Sequence, residues 1–274
     1  MALEREKRRL KIYLIIFLAI MVLGSAGFML SEHLPLADAL YFSIVTVATV
    51  GYGDIAPTTA IGKILAILMI FAGTGTFLGV VATGTEIFLA RRDQEARHRK
   101  LQMIVGLFFT ETGNHLLQIL VTADPSRSEL NHQLRITNDW QMRDFQNRLN
   151  WAAQHEFKVD VGQIDFPQLR DFLNSKGNSL VRLMENPYML EEETLTLLLT
   201  AILHLKEELL HRADFTQLPP NDLQHLANDI NRIYRLIIPH WLTYLQHLQE
   251  CYPFLYSLAL RTNPFDEQAS AIVY

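Results

Sequence analysis

Leu36-Ala37-Asp38-Ala39-Leu40-Tyr41-Phe42-Ser43-Ile44-Val45-Thr46-Val47-Ala48 runs directly into Thr49-Val50-Gly51-Tyr52-Gly53-Asp54, and Pro57 follows. The first part is apolar and helix-compatible, but it is too short to cross a hydrocarbon core of roughly 30 Å. The second part holds two glycines around a tyrosine and reads as irregular backbone. Whether this is a turn in a soluble sheet or something rarer depends on its flanks.

On the N-terminal side, residues 11–30 carry no charge after Lys11. That length spans a bilayer at about 1.5 Å per residue, and it is too long for the core of a signal peptide. On the C-terminal side, residues 61–90 are apolar except for Lys63, Glu86 and short polar side chains. This second run exceeds the need, so it is expected to tilt or project beyond the bilayer. Arg5, Lys7, Arg8, Arg9 and Lys11 flank the first run, and Arg91, Arg92, Arg97, Arg99 and Lys100 flank the second. Basic flanks stay cytoplasmic, so a multi-pass protein of the plasma (cell inner) membrane with both termini cytoplasmic is expected. A short helix followed by glycine-rich backbone at membrane depth is tolerated only where it is buried in protein or lines a water-filled cavity. Residues 36–59 therefore predict a re-entrant loop, and the loop predicts a pore.

Thr49-Val50-Gly51-Tyr52-Gly53 matches the TVGYG filter of potassium channels, and residues 11–92 resemble the two-transmembrane bacterial members of that family. The resemblance implies a homotetramer in a lipid bilayer. Backbone carbonyls of residues 49–53 replace the hydration shell of K+ ions, and no organic cofactor and no enzymatic step are implied. Gly51 and Gly53 permit conformations that a β-carbon disfavours, and Thr49 adds a hydroxyl ligand. Tyr52 stands where non-selective relatives carry Asp, which implies selectivity for potassium. By the same resemblance Asp54, Tyr41, Phe42 and Val45 support the filter. Tyr41 and Phe42 take the place of an aromatic cuff, and Tyr41 is positioned to hydrogen-bond Asp54. Val45 replaces a glutamate that pairs with this aspartate in some relatives, so an inactivation mechanism based on that pair is not expected to carry over.

In the second run, Gly73 falls at the family's hinge position and is the expected gating hinge, with close helix packing as the other reading. Gly75-x-x-x-Gly79 is also a packing pattern. Thr74, Phe77, Val81 and Thr85 recur at helical spacing and, by the resemblance, line the inner pore. Glu86 either faces the lumen or pairs with a nearby arginine. Gly73-Thr74-Gly75 and Gly79 do not form a dinucleotide fingerprint, because the spacing is wrong and no strand precedes them.

The remaining two thirds of the chain reads as a soluble part. The expected division is a pore domain at 1–92, a helical connector at 93–103 and an all-α cytoplasmic regulatory domain at 104–274. Helices are predicted at 104–122, 126–155, 166–185, 190–212 and 220–260, with Pro239 and Pro253 kinking or breaking the last. The fold class is all-α. The net charge of −5 and the lack of a long basic tract exclude nucleic acid as an expected partner. The single Cys251 forms no internal disulfide. An unknown small ligand or ion is the expected partner of this domain. His204, Glu208 and His211 share one helix face at i, i+4 and i+7, a spacing that supplies metal ligands in bundles and equally describes a solvated polar stripe. Glu111 and His115 form a similar pair. The alternative function is a metal-binding, enzymatic or interaction sensor module that uses the pore for signalling.

Overall fold

The computed structural model describes residues 2–272, which form two compact units divided between Ala96 and Arg97. The division falls inside the stretch read as a connector. Among the described residues every regular element is helical.

The first unit holds α1 (Ala2–Glu32), α2 (Leu36–Val47) and the first part of α3 (Ala60–Phe108). α1 and α3 contain the two segments long and apolar enough to cross a membrane. α1 stops where His33 turns into the left-handed region at φ 58°, a common way to end a helix. α2 starts after Pro35 and carries Asp38 in its first turn, where the helix dipole favours an anion. The helices cross at glycines: a β-carbon at Gly27 would fall 2.4 Å from Leu65 Cδ2, and one at Gly24 would fall 2.9 Å from Met69. Phe28 is fully buried and meets Phe42 of α2 edge-on at 4.7 Å between centroids. Many other large apolar side chains remain exposed on this unit, Leu23, Leu30, Ile61 and Phe71 among them. Such a surface suits lipid and further copies of the chain.

α3 continues to Phe108 without the boundary expected near 103, passes through a π-turn at Phe109–Gly113, and leads into α4 (Asn114–Thr122). Then follow α5 (Arg127–Leu134), α6 (Met142–Gln154), α7 (Phe166–Met184), α8 (Glu193–Leu210), α9 (Pro220–Cys251) and α10 (Pro253–Arg261). α9 is the axis of the second unit and packs on α4, α6, α8 and α10. Its inner face, Leu226, Ile230, Ile233, Ile237, Ile238, Trp241 and Leu245, is buried.

Two expectations are corrected. The single helix at 126–155 is two helices, α5 and α6. Arg135 becomes extended at ψ 94° and Asn138-Asp139 make a turn. Carbonyls freed there find tertiary donors: Tyr256 donates to Thr137 O at 3.2 Å and Gln249 to Trp140 O at 2.6 Å. The helix predicted over 220–260 is likewise two: Pro253 breaks it and opens a new helix after Tyr252, in line with the bias of a residue before proline away from the helical region, while α9 runs on through Pro239.

Candidate functional site

The loop after α2 is built by backbone rather than side chains. α2 ends as Ala48 N and Thr49 N donate to Ile44 O and Thr46 O. Val45 O then accepts two amides, Val50 N at 3.0 Å and Gly51 N at 3.3 Å, which ties the start of the loop to the helix. This carbonyl role of Val45 is independent of its side chain and was invisible to residue-type reasoning. Beyond it, φ is positive at Thr49 (59°), Gly51 (57°) and Gly53 (79°) and at neither Val50 nor Tyr52. An L-residue in the left-handed region costs roughly 1–2 kcal/mol, and two of the three positions are glycine. A chain that alternates handedness residue by residue turns successive carbonyls toward the same side, whereas a strand points them to opposite sides.

Side chains brace this ribbon from behind. Tyr41 donates to Asp54 Oδ2 at 2.8 Å, joining the middle of α2 to the residue after the glycines. Ser25 and Ser43 share a buried hydrogen bond of 3.0 Å between α1 and α2. Val50 and Tyr52 expose 51% and 71% of their surface, so the subunit itself supplies little packing for either. Phe42 does not form a cuff around Tyr52 within the subunit; its ring is committed to Phe28 in the α1–α2 core. Sequence reasoning also missed Glu32. Its carboxylate accepts from both the amide and the hydroxyl of Thr58 and of Thr59, at 2.6–3.0 Å. It thereby caps the start of α3, where the helix dipole favours negative charge.

Along α3, a β-carbon at Gly73 would lie 2.6 Å from Val47 Cγ2, so packing against α2 requires glycine there. A β-carbon at Gly79 would lie 3.2 Å from the Tyr13 ring, while one at Gly75 or Gly84 would meet nothing within 4 Å. Thr74 Oγ1 donates to Val47 O at 3.4 Å, close to the end of α2. Val81 and Thr85 are exposed, with Thr85 Oγ1 bonded back to Val81 O. Phe77 is half-buried and packs on Phe17 of α1 at 6.0 Å between ring centroids. The helix face it occupies already carries the contact between α1 and α3.

In the second unit the expected trio His204, Glu208 and His211 is rearranged. His211 Nδ1 is engaged by the Glu207 carbonyl at 2.8 Å. His204 and Glu208 instead meet His225 and Asp229 of α9. Asp229 Oδ2 lies 3.5 Å from the Nε2 atoms of both His204 and His225. Glu208 Oε1 is 3.8 Å from His204 Nε2, and Glu208 Oε2 is 3.6 Å from His225 Nε2. Arg212 holds Glu208 at 2.8 Å and grips Asp222 with two hydrogen bonds. Its hydrogen bond keeps the Glu208 carboxyl below the usual range. His225 and Asp229 repeat the i, i+4 spacing of His204 and Glu208, and that repetition is the signal the sequence offered. The Glu111 and His115 pair is not assembled: Lys176 takes Glu111 at 3.0 Å and His115 packs on Phe172.

Residues 15–90 match the family model described as ion channel. Residues 97–261 match the model described as the C-terminal helical domain of uncharacterized protein MJ1433. That protein, from Methanocaldococcus jannaschii, is 40% identical over 187 residues, covering 68% of this chain and 75% of its own length. Two-pore potassium channel 5 of Arabidopsis thaliana is 51% identical over 53 residues, 19% of this chain and 13% of that protein. Putative potassium channel protein RPA4233 of Rhodopseudomonas palustris is 27% identical over 140 residues, 47% of this chain and 34% of that protein. The chain thus spans three quarters of the first relative and a minor part of the two channel proteins.

Proposed function

The chain belongs to the family of the MJ1433 C-terminal helical domain, here preceded by an ion-channel domain, and from that premise we propose that it is one subunit of a homotetrameric, potassium-selective channel. Residues 1–92 are the pore domain, 93–103 the connector and 104–274 the regulatory domain. K+ passes down its gradient along the carbonyls of residues 49–53, with no catalytic step and no organic cofactor. The observation that carries this reading is the alternation of backbone handedness at Thr49, Gly51 and Gly53, placed after a helix too short to span and between two helices that are long enough. Tyr52 and Val50, exposed on a single subunit, suit burial against neighbouring copies around a pore axis. Reversal potentials under bi-ionic K+/Na+ conditions test the reading. A strong shift in favour of K+ is expected, and near-equal permeability overturns it.

Gating is assigned to α3. The basic residues that flank both spans support a channel of the inner membrane with both termini cytoplasmic. Movement of the regulatory domain is transmitted through the helix from Arg92 to Met103 and bends it near Gly73, with Val81 and Thr85 at the inner mouth. Single-channel recording of a chain truncated after Lys100 checks this. An open probability unchanged under every condition in which the full chain gates counts against it. A second reading, in which the helical unit is a sensor module, is favoured by the histidine and carboxylate cluster between α8 and α9.

A further inference from the structure

We propose that His204, His225 and Asp229, with Glu208 at the rim, form a binding site for a divalent first-row transition metal of the zinc class, which clamps α8 to α9. Asp229 keeps only 5% of its side-chain surface exposed, and its Oδ2 has no hydrogen-bond donor. A buried carboxylate oxygen without a partner is costly. Two imidazole nitrogens converge on this oxygen, each at 3.5 Å, beyond good hydrogen-bond distance. The three ligand atoms lie within 4.8 Å of one another. For metal–ligand bonds of about 2.0–2.2 Å, the edge of a tetrahedron of ligands is ~3.4 Å. The spacing that is too long for a hydrogen bond is therefore the spacing a shared cation sets.

The donor chemistry narrows the ion. Two neutral imidazoles and one carboxylate suit zinc and its neighbours and are a poor match to calcium or magnesium, which take oxygen ligands. His204 and His225 retain 46% and 49% exposure, which gives the ion an entry path and leaves a fourth position for water or Glu208. Arg212 already neutralises Glu208 through one oxygen, so Asp229 is the principal anionic ligand. On its far side, Arg232 approaches Asp229 Oδ1 at 3.8 Å. It orients the carboxylate without reaching Oδ2. Placing one His–x–x–x–carboxylate pair on each of two packed helices makes the site a staple between them. The inference stands apart from the pore reading, because a chain that failed to conduct would still bind the ion.

The test uses the full chain in detergent, stripped with a chelator and titrated with Co2+ as a spectroscopic probe, followed by displacement with Zn2+. One Co2+ per chain with the visible absorption of a four-coordinate ion is expected. Asp229→Asn and His225→Gln should weaken uptake at least about tenfold, the lower end of what losing even an outer-shell partner of a metal costs. His211→Gln should not change it. His225→Cys should add a thiolate-to-cobalt absorption that wild type lacks, which locates the ion even where other variants fold poorly. Absence of stoichiometric uptake by wild type overturns the proposal. Uptake that His225→Cys does not perturb overturns it as well.

Discussion

The two units use the chain in opposite ways. In the first, the backbone carries the distinctive features: alternating handedness at residues 49–53, a carbonyl of Val45 holding two amides, and glycines where helices press together. In the second, side chains converge from two helices onto Asp229 and Arg212. The difference predicts different fragilities. The first unit should fail when a β-carbon is added, and the second when a side chain is exchanged.

The largest effect is expected at Gly53. Its φ of 79° lies in the left-handed region, where alanine is strained. Gly53→Ala should reduce K+ flux into liposomes more than tenfold. Gly75→Ala, which meets nothing within 4 Å, should leave flux and selectivity intact. Equal tolerance at the two glycines would break the comparison at its base.

Gly73 sharpens it. Alanine there collides with Val47 Cγ2 at 2.6 Å, an overpacking that costs about 1–3 kcal/mol. Lower thermal stability of the detergent-solubilised protein is expected, with recovery in Gly73→Ala/Val47→Ala. A variant as stable as wild type but altered in open probability would instead favour hinge bending over packing.

In the second unit a smaller loss is expected from Arg212→Lys. The guanidinium grips Asp222 with two bonds and Glu208 with a third, tying the end of α8 to the start of α9. Lysine keeps the charge and loses the fork, so about 1 kcal/mol of unfolding free energy should disappear, while reversal potentials stay where they were. Asp222→Asn should cost a similar amount, and the double variant less than the sum.

This contrast also explains what was legible in the sequence. A site made of consecutive residues leaves a contiguous signature, and Thr49 to Asp54 could be read without knowing any tertiary contact. Tyr41 and Asp54, thirteen positions apart, were still within reach because a known loop relates them. Residue type and spacing do not say which neighbour claims a ring; within the chain, Phe28 and Phe17 of α1 take Phe42 and Phe77. In the helical unit, periodicity gave the helices but not the break at 135–141, where Tyr256 and Gln249 compete for backbone carbonyls. His204 and Glu208 were visible as one face of one helix. Their partners on α9 were not, since the pairing of α8 with α9 is a tertiary fact. His211 was drawn in by the same periodicity, although it lies at the end of α8, where its ring is taken by a carbonyl of the last turn.

The smallest expected effect tests whether the second unit's side chains also answer to pH. His240 retains partial solvent contact, yet it is packed densely enough on α9 that burial lowers its pKa below 6.5, opposed only by a hydrogen bond with the Thr194 backbone. The folded state therefore holds fewer protons than the unfolded chain in the window from about 6.5 downward to the depressed value. Stability rises with pH wherever the unfolded state binds more protons. The contribution of neutral His240 is complete above pH ~6.5 and is lost as pH falls toward the depressed value. The loss is bounded at about 1.4 kcal/mol per pH unit for one group. His247, lowered by burial and then by His98, acts in the same direction. Unfolding midpoints measured at pH 7.5 and 5.5 should therefore fall less in His240→Gln than in wild type. An identical fall in both would mean that the acid sensitivity of the helical unit lies elsewhere.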